Sequence, residues 1–442
     1  MRVLVVGGGG REHALVHSFA RSALAERVFC APGNAGTAAE ADNVPISAED
    51  LPGLLDFARK EAVDLTVVGP EAPLVAGITD LFEQNGLRVF GPSAEAARME
   101  GSKVFAKDVM YDGGVPTGRF RRHESLETAL ECLAVQDAFP VVVKADGLAA
   151  GKGVIICEDY EQARAAAEQC LVERAFGDAG DVVMVEEFLR GTEVSLLVVC
   201  DGDTAVPLAP AQDYKRIFAG DKGPNTGGMG SYCPVPGFER RAVDEAMARV
   251  VEPTLAALRK RGIEYRGVLY AGLIVTDDGM KVLEYNCRFG DPETQAVLPR
   301  LRSDLLELCA AAAAGEIAGM EAAWTPQDCV TVVLASRGYP ATSYKGDVIS
   351  GLDLAAAVPD VTVYHAGTAF AEPTAPADVV TAGGRVLAVS ALGDGFAQAR
   401  ERAYQAVAHI GFDGVQARPD IAERAVAAQE GRLKLFPSGF AS

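Results

Sequence analysis

Within the first hundred residues, four short apolar runs at 3–6, 28–30, 65–68 and 87–90 are each cut off by glycine or proline and separated by helix-length segments. Regular alternation of short apolar runs with helical periodicity specifies a doubly wound α/β domain built on a parallel sheet. Helices are expected at 11–23 and after Ser47-Ala48-Glu49-Asp50, which resembles a capping box. Ligands of such sheets bind beyond the carboxyl ends of the strands, so the loops after residues 6, 30 and 68 are candidate binding loops.

From residue 102 the pattern changes. A helix at 102–110 is followed by strand-like runs at 140–144, 154–157, 182–186, 193–200 and 204–208, and by two more at 269–275 and 280–285. The last two flank Asp277-Asp278-Gly279, a strong hairpin turn, so this is an α+β region with antiparallel strands. A helix is expected at 303–314, with Ser303 as its N-cap and Gly315 just past its end. Beyond Trp324-Thr325-Pro326 come runs at 330–335, 362–365 and 385–390 and a helix at 395–410. The expected organisation is an N-terminal domain (1–101), a central domain (102–323) and a small C-terminal α+β domain (324–425), with a frayed tail beyond about 430.

The charge balance, 41 Lys plus Arg against 61 Asp plus Glu, repels nucleic acid and anionic lipid, so neither is expected as a partner. An anionic small molecule then needs a locally positive pocket. Nine scattered cysteines without a C-x-x-C pair point to reduced thiols rather than disulfides or zinc. The apolar start at 1–6 is too short for a signal-peptide core, and no run of 18 apolar residues exists, so a cytoplasmic location is expected. No heptad or interface stripe stands out, and a monomer is expected.

Gly7-Gly8-Gly9-Gly10-Arg11-Glu12 follows a strand and opens a helix, where the N–H groups of Gly9 and Gly10 can approach a phosphate. The dinucleotide fingerprint fails here: its third glycine falls at Glu12, and no acid closes the second strand. Arg11 suits a phosphate monoester instead; the alternative is a tight turn without a ligand. Glu71 ends the neighbouring strand and could face the same crevice.

Lys144 ends an apolar strand, and a buried cation there calls for an anion. The loop that follows carries Gly147, Gly151, Lys152 and Gly153. It is not a P-loop, because no Ser or Thr follows Lys152 and a strand comes next. A glycine-rich loop between two strands can close over a triphosphate as a lid. Glu186, Glu187, Phe188 and Leu189 end another strand as a hinge whose backbone can pair with an adenine edge, and Glu193 could bond a ribose hydroxyl. Taken singly, these acids could equally be solvated surface residues.

Glu284 and Asn286 stand two apart on a strand and so share a face, as a carboxylate and an amide oxygen suited to Mg²⁺. Arg288 and Asp291 follow in a bend, near enough to act on substrate. The segment with Asn225, Thr226 and Gly227 is too polar and glycine-dense for a core and reads as a substrate loop, with Asp213 and Lys215 just before it.

GGREHAL, APGNAGT, VGPEAPL, GSKVFAK, VVKADGLAAGKGV, VEEFLRGTEVS, GPNTGGMG and EYNCRFGDPETQ occur here in that order, with HAGT and GGRVL later. From residue 1 to about 424 the chain thereby resembles the phosphoribosylamine–glycine ligases, an ATP-grasp family. The resemblance implies a central ATP-grasp domain with a mobile lid at about 120–190, and a reaction of glycine, 5-phosphoribosylamine and ATP through a glycyl phosphate. It implies that Lys103 and Lys144 hold ATP phosphates, with residues 147–153 as the lid loop. Residues 186–189 and Glu193 would hold adenosine, and Glu284 and Asn286 would ligate Mg²⁺ or Mn²⁺. The first glycine-rich turn and Glu71 would meet the ribose phosphate, and Pro292 and Glu293 of the FGDPETQ segment would face substrate. Two positions depart from the family pattern: Ala219 replaces the first of two acids before GPNTGG, leaving Asp221, and Ala422 stands where the family has glycine. The alternatives are a sister ATP-grasp enzyme acting on another purine ribonucleotide and a silent nucleotide-binding regulator.

Overall fold

A computed structural model describes residues 1–148, 153–372 and 378–440. The first sheet is parallel, with strands in the order Asp42–Asn43, Arg27–Pro32, Arg2–Gly7, Leu65–Val68 and Val89–Phe90. Val3, Leu4, Val5 and Val6 are fully buried, as a strand covered on both faces requires. Strand order reverses at Arg2–Gly7, which opens a crevice at its carboxyl end. Helix Gly10–Phe19 starts there, and the Glu12 carboxylate accepts the Gly9 N–H at 2.5 Å. The second helix, Leu51–Lys60, is capped by Asp50, which accepts from Gly53 N–H, and not by the expected box at Ser47.

Two antiparallel four-stranded sheets follow. One runs Phe120–His123, Val183–Glu187, Val141–Ala145, Val154–Cys157, and helices Leu126–Ala134 and Tyr160–Leu171 pack with it around a separate small core. The other runs Ala205–Pro207, Thr192–Asp201, Arg266–Thr276, Gly279–Asn286 and shares the large core that reaches into the N-terminal sheet. The first of these two, called the lid sheet because it falls in the segment expected as a lid, thus has a core of its own.

The last large sheet takes its first two strands, Gln212–Asp213 and Gly230–Cys233, from the central part of the chain and pairs them with Asp328–Ala335, then Arg385–Gly393 and Val361–His365. The polar hairpin Arg216–Phe218 with Lys222–Asn225 lies between the two borrowed strands.

Two local expectations are corrected. Helix Leu305–Ala314 is capped by Asp304, which accepts from the N–H groups of Leu306 and Glu307, while Ser303 Oγ accepts from Ala323 N–H. The tail is not frayed. After helix Glu423–Gln429 it folds back onto the central part, where Thr192 Oγ1 donates to Leu435 O and Phe436 and Phe440 pack on Phe238 at 6.0 and 5.8 Å between ring centroids. Aromatic burial outweighs the polar character of the tail's first residues. No helix among the described residues is long and apolar enough to cross a membrane.

Candidate active site

Two connected cavities of about 450 and 620 Å³ lie between the lid sheet, the second sheet and the N-terminal crevice. Lys144, Asp213, Lys215, Thr226, Tyr270 and Glu284 line both. Lys144 ends strand Val141–Ala145 with its ammonium 2.5 Å from Glu186 Oε2 and within 3.4 Å of Leu283 O. Lys103 opens helix Lys103–Gly113 and donates to Gly147 O at 2.8 Å; burial pushes its pKa down, against the pull of Glu284. Asp146 accepts from Ser102 Oγ at 3.0 Å and from Val104 N–H at 3.0 Å, tying the root of the glycine-rich loop to that helix. Gly147 and Gly153 line the smaller cavity, whereas Gly151 and Lys152 lie outside the described residues.

Glu187, Phe188, Leu189 and Glu193 line the larger cavity, as does Glu186. The Glu186 side chain is not a solvated acid: at 3 % exposure it is clasped between Lys144 and Lys107. Lys107 was not singled out from the sequence, although Lys103 and Lys107 are four apart on one helix and so share a face.

Glu284 and Asn286 project from strand Gly279–Asn286, opposite Gly272 and Tyr270. Glu284 has no hydrogen-bond or ion-pair partner among the described residues and lines both cavities; Asn286 Oδ1 accepts from Arg288 at 3.3 Å. An unpaired carboxylate beside an amide oxygen is a hard-oxygen donor set of the kind Mg²⁺ takes up, with phosphates and water completing the shell.

The other end of the smaller cavity is rich in paired arginines. Arg288 reaches Glu100 at 2.8 Å and Glu71 at 3.2 Å; burial opposes its charge, but these two carboxylates outweigh it and hold its pKa above the ordinary value. Arg288 is thus doubly paired with carboxylates from the N-terminal crevice and the helix that follows it. Arg11 donates to Glu12 at 2.6 Å and to Phe289 O at 3.1 Å. Glu12 itself turns inward, and a Cβ on Gly69 would overlap it. Asp291 pairs with Arg385 at 2.9 Å and accepts from Gln295 at 2.6 Å; burial raises its pKa, but Arg385 and Arg11 leave it below the usual range. Arg385, another residue that sequence reasoning missed, also donates to Gly227 O and to Asp291 O. Gly228, at φ +108° and against Pro292, leaves no room for a side chain. Thr226 bonds back to Lys215, while Asn225 is an exposed strand end on the wall of the larger cavity.

Between these ends stands an acidic wall. Lys215 bridges Glu193 at 2.6 Å and Asp213 at 2.9 Å, and Glu293 accepts from Tyr270 OH at 2.6 Å. Burial lifts the Asp213 carboxyl to about 6 despite Lys215, whereas Lys215 keeps Glu193 below its ordinary value.

Three family models match the chain: the phosphoribosylglycinamide synthetase N domain at residues 1–100, its ATP-grasp (A) domain at 101–294 and its C domain at 329–424. This chain belongs to the phosphoribosylglycinamide synthetase family. Among curated relatives, a phosphoribosylamine–glycine ligase from Escherichia coli O6:H1 is 49 % identical over 429 residues, 96 % of this chain and 99 % of that protein. One from Caldanaerobacter subterraneus subsp. tengcongensis is 47 % identical over 422 residues, with the same coverage. The crystal structure of a phosphoribosylamine–glycine ligase from Thermotoga maritima superposes with a TM-score of 0.81 at 34 % identity, over 95 % of this chain and all of that one. Residues from all three phosphoribosylglycinamide synthetase segments meet in the cavity: Arg11 from the first, Lys103, Lys144 and Glu284 from the second, and Arg385 from the third.

Proposed function

We propose that this ATP-grasp carbon–nitrogen ligase joins glycine to 5-phosphoribosylamine at the expense of ATP, giving glycinamide ribonucleotide, ADP and phosphate. Continuity of the two cavities around Lys144 and Glu284 supports this above all: a nucleotide lying along the larger one would deliver its terminal phosphate into the arginine-lined smaller one. A carboxylate is a poor acyl donor, and phosphorylation converts glycine into a glycyl phosphate with a good leaving group. Lys144 and Lys103 hold the phosphates and stabilise the charge that develops, while the loop bounded by Gly147 and Gly153 excludes water. A divalent cation, Mg²⁺ or Mn²⁺, would be held by Glu284 and Asn286 and would supply charge neutralisation at the phosphates. Asp213 and Glu293 present negative charge to the amine of glycine. Arg11, with the N–H groups at the start of helix Gly10–Phe19, takes the ribose phosphate. Arg288 and Arg385 keep the bend at Asp291 and the loop at Gly227 in place.

The test is phosphate release from ATP and Mg²⁺, with glycine and fresh 5-phosphoribosylamine added singly and together. Release that needs both, with glycinamide ribonucleotide identified by mass, is the expected result. Release with bicarbonate or formate and another ribonucleotide would instead make the chain a sister enzyme.

A further inference from the structure

The lysine that faces the nucleotide is already committed to another partner in this structure. Lys144 lies 2.5 Å from one oxygen of Glu186, and the other oxygen is held by Lys107. All three side chains are buried, with side-chain exposures of 8, 2 and 2 % for Lys144, Glu186 and Lys107. Lys107 is itself fixed: its ammonium donates to Thr117 Oγ1 at 2.6 Å, and Thr117 donates on to Val282 O at 2.7 Å. That carbonyl belongs to the strand that carries Glu284. A carboxylate removed from water needs compensating charge at every moment. With Lys144 as its sole partner, Glu186 would keep Lys144 from the phosphates, because releasing it would strand a buried anion.

We propose that Lys107 is a positioning residue that frees Lys144 for the nucleotide: it remains the standing counter-ion of Glu186, so that Lys144 exchanges Glu186 for a phosphate oxygen when the triphosphate arrives. Two cations against one anion leave this trio with a net positive charge, and the incoming phosphates neutralise it. Lys107 lines the smaller cavity, yet its ammonium is held by Glu186 and Thr117, so it acts through Lys144. The proposal rests on the nucleotide-binding part of the ligase reading and on nothing about the acceptor.

The experiment measures binding of a non-hydrolysable ATP analogue and of adenosine to the full-length protein by calorimetry. Lys107→Met should weaken the analogue by about tenfold or more, since Glu186 then claims Lys144 outright, and should leave adenosine within about threefold. Lys107→Arg, which keeps the charge, should stay close to wild type. Lys107→Met combined with Glu186→Gln removes anion and counter-ion together, frees Lys144, and should recover most of the lost affinity. It also leaves no buried carboxylate without a counter-ion. Equal weakening of adenosine and the analogue, or a double variant no better than Lys107→Met, would overturn the proposal. A wild type that binds the analogue but makes no glycinamide ribonucleotide would instead overturn the ligase reading.

Discussion

At the scale of single residues, the cavity separates side chains that hold the structure from those left free for a ligand. Glu284 is unpaired among the described residues and stands in the cavity wall, so its removal costs the fold little. Glu284→Ala should lower ligase activity by about a hundredfold or more at saturating Mg²⁺ while stability stays within about 0.5 kcal/mol of wild type. Near-normal turnover, or a large loss of stability, would count against a metal-holding role. Ala422 presents the opposite case. It caps helix Glu423–Gln429 at φ 63°, ψ 8°, in the left-handed region, and its N–H donates to Tyr214 OH at 2.9 Å. An L-residue there carries strain of about 1 kcal/mol, offset in part by burial of its methyl group. Ala422→Gly should therefore stabilise the protein by up to about 1 kcal/mol, a rise in Tm of a degree or two, as calorimetry would show. Lys144, Glu284 and Asn286 were singled out in the sequence because each stands near the end of an apolar strand, where alternation fixes its face, whereas Lys103 was named only through the family resemblance. Arg385 was not singled out: its partner Asp291 lies 94 positions away, and only the folded C-terminal sheet brings the two together.

At the scale of elements, Asp146 ties the lid sheet to helix Lys103–Gly113. It follows strand Val141–Ala145 directly, accepts from Ser102 Oγ and Val104 N–H, and so fastens the glycine-rich loop to the helix that presents Lys103. Asp146→Ala should cost about 1 kcal/mol, as loss of a helix N-terminal acceptor does, and should raise KM for ATP several-fold more than it lowers kcat. Unchanged values of all three would mean that the lid takes its position without this tether. Strand cores such as Leu65–Val68 and Val154–Cys157 were legible to the residue, because each is a short run rich in β-branched residues cut off by a glycine on one side and an acid on the other. Helix Tyr160–Leu171, with polar residues mixed among its alanines, carried no comparable apolar signal and becomes evident only through packing around Ala163, Ala166 and Cys170. The strands Gln212–Asp213 and Gly230–Cys233 are two and four residues long, and their place in the C-terminal sheet is a tertiary fact that no local pattern records.

At the scale of the whole molecule, the C-terminal sheet closes over the N-terminal crevice through a small polar seam. The His365 backbone N–H donates to His13 Nδ1 at 2.7 Å, and His365 O accepts from Asn34 Nδ2 at 2.9 Å. Because His13 Nδ1 accepts, its proton sits on Nε2, which faces Glu40 at 3.4 Å; Glu40 also takes His17 at 3.0 Å and Arg21 at 2.9 Å. Burial, aided by the nearby His13, lowers the His365 pKa from 6.5 to about 4. The folded protein therefore resists protonation of His365, while the unfolded chain takes up that proton at its ordinary value. Stability from this group is complete above about pH 6.5 and drains away as the pH falls toward 4, by an amount of order 1–3 kcal/mol. Tm recorded between pH 7 and 4 should fall more steeply in the wild type than in His365→Asn, whose amide does not titrate. KM for 5-phosphoribosylamine should rise more steeply over the same interval in the wild type than in His365→Asn, since the seam ends at the glycine-rich turn assigned to the ribose phosphate. Parallel Tm curves for the two proteins would show that acid opens the molecule elsewhere, and that docking of the C-terminal sheet does not depend on a neutral imidazole at this position.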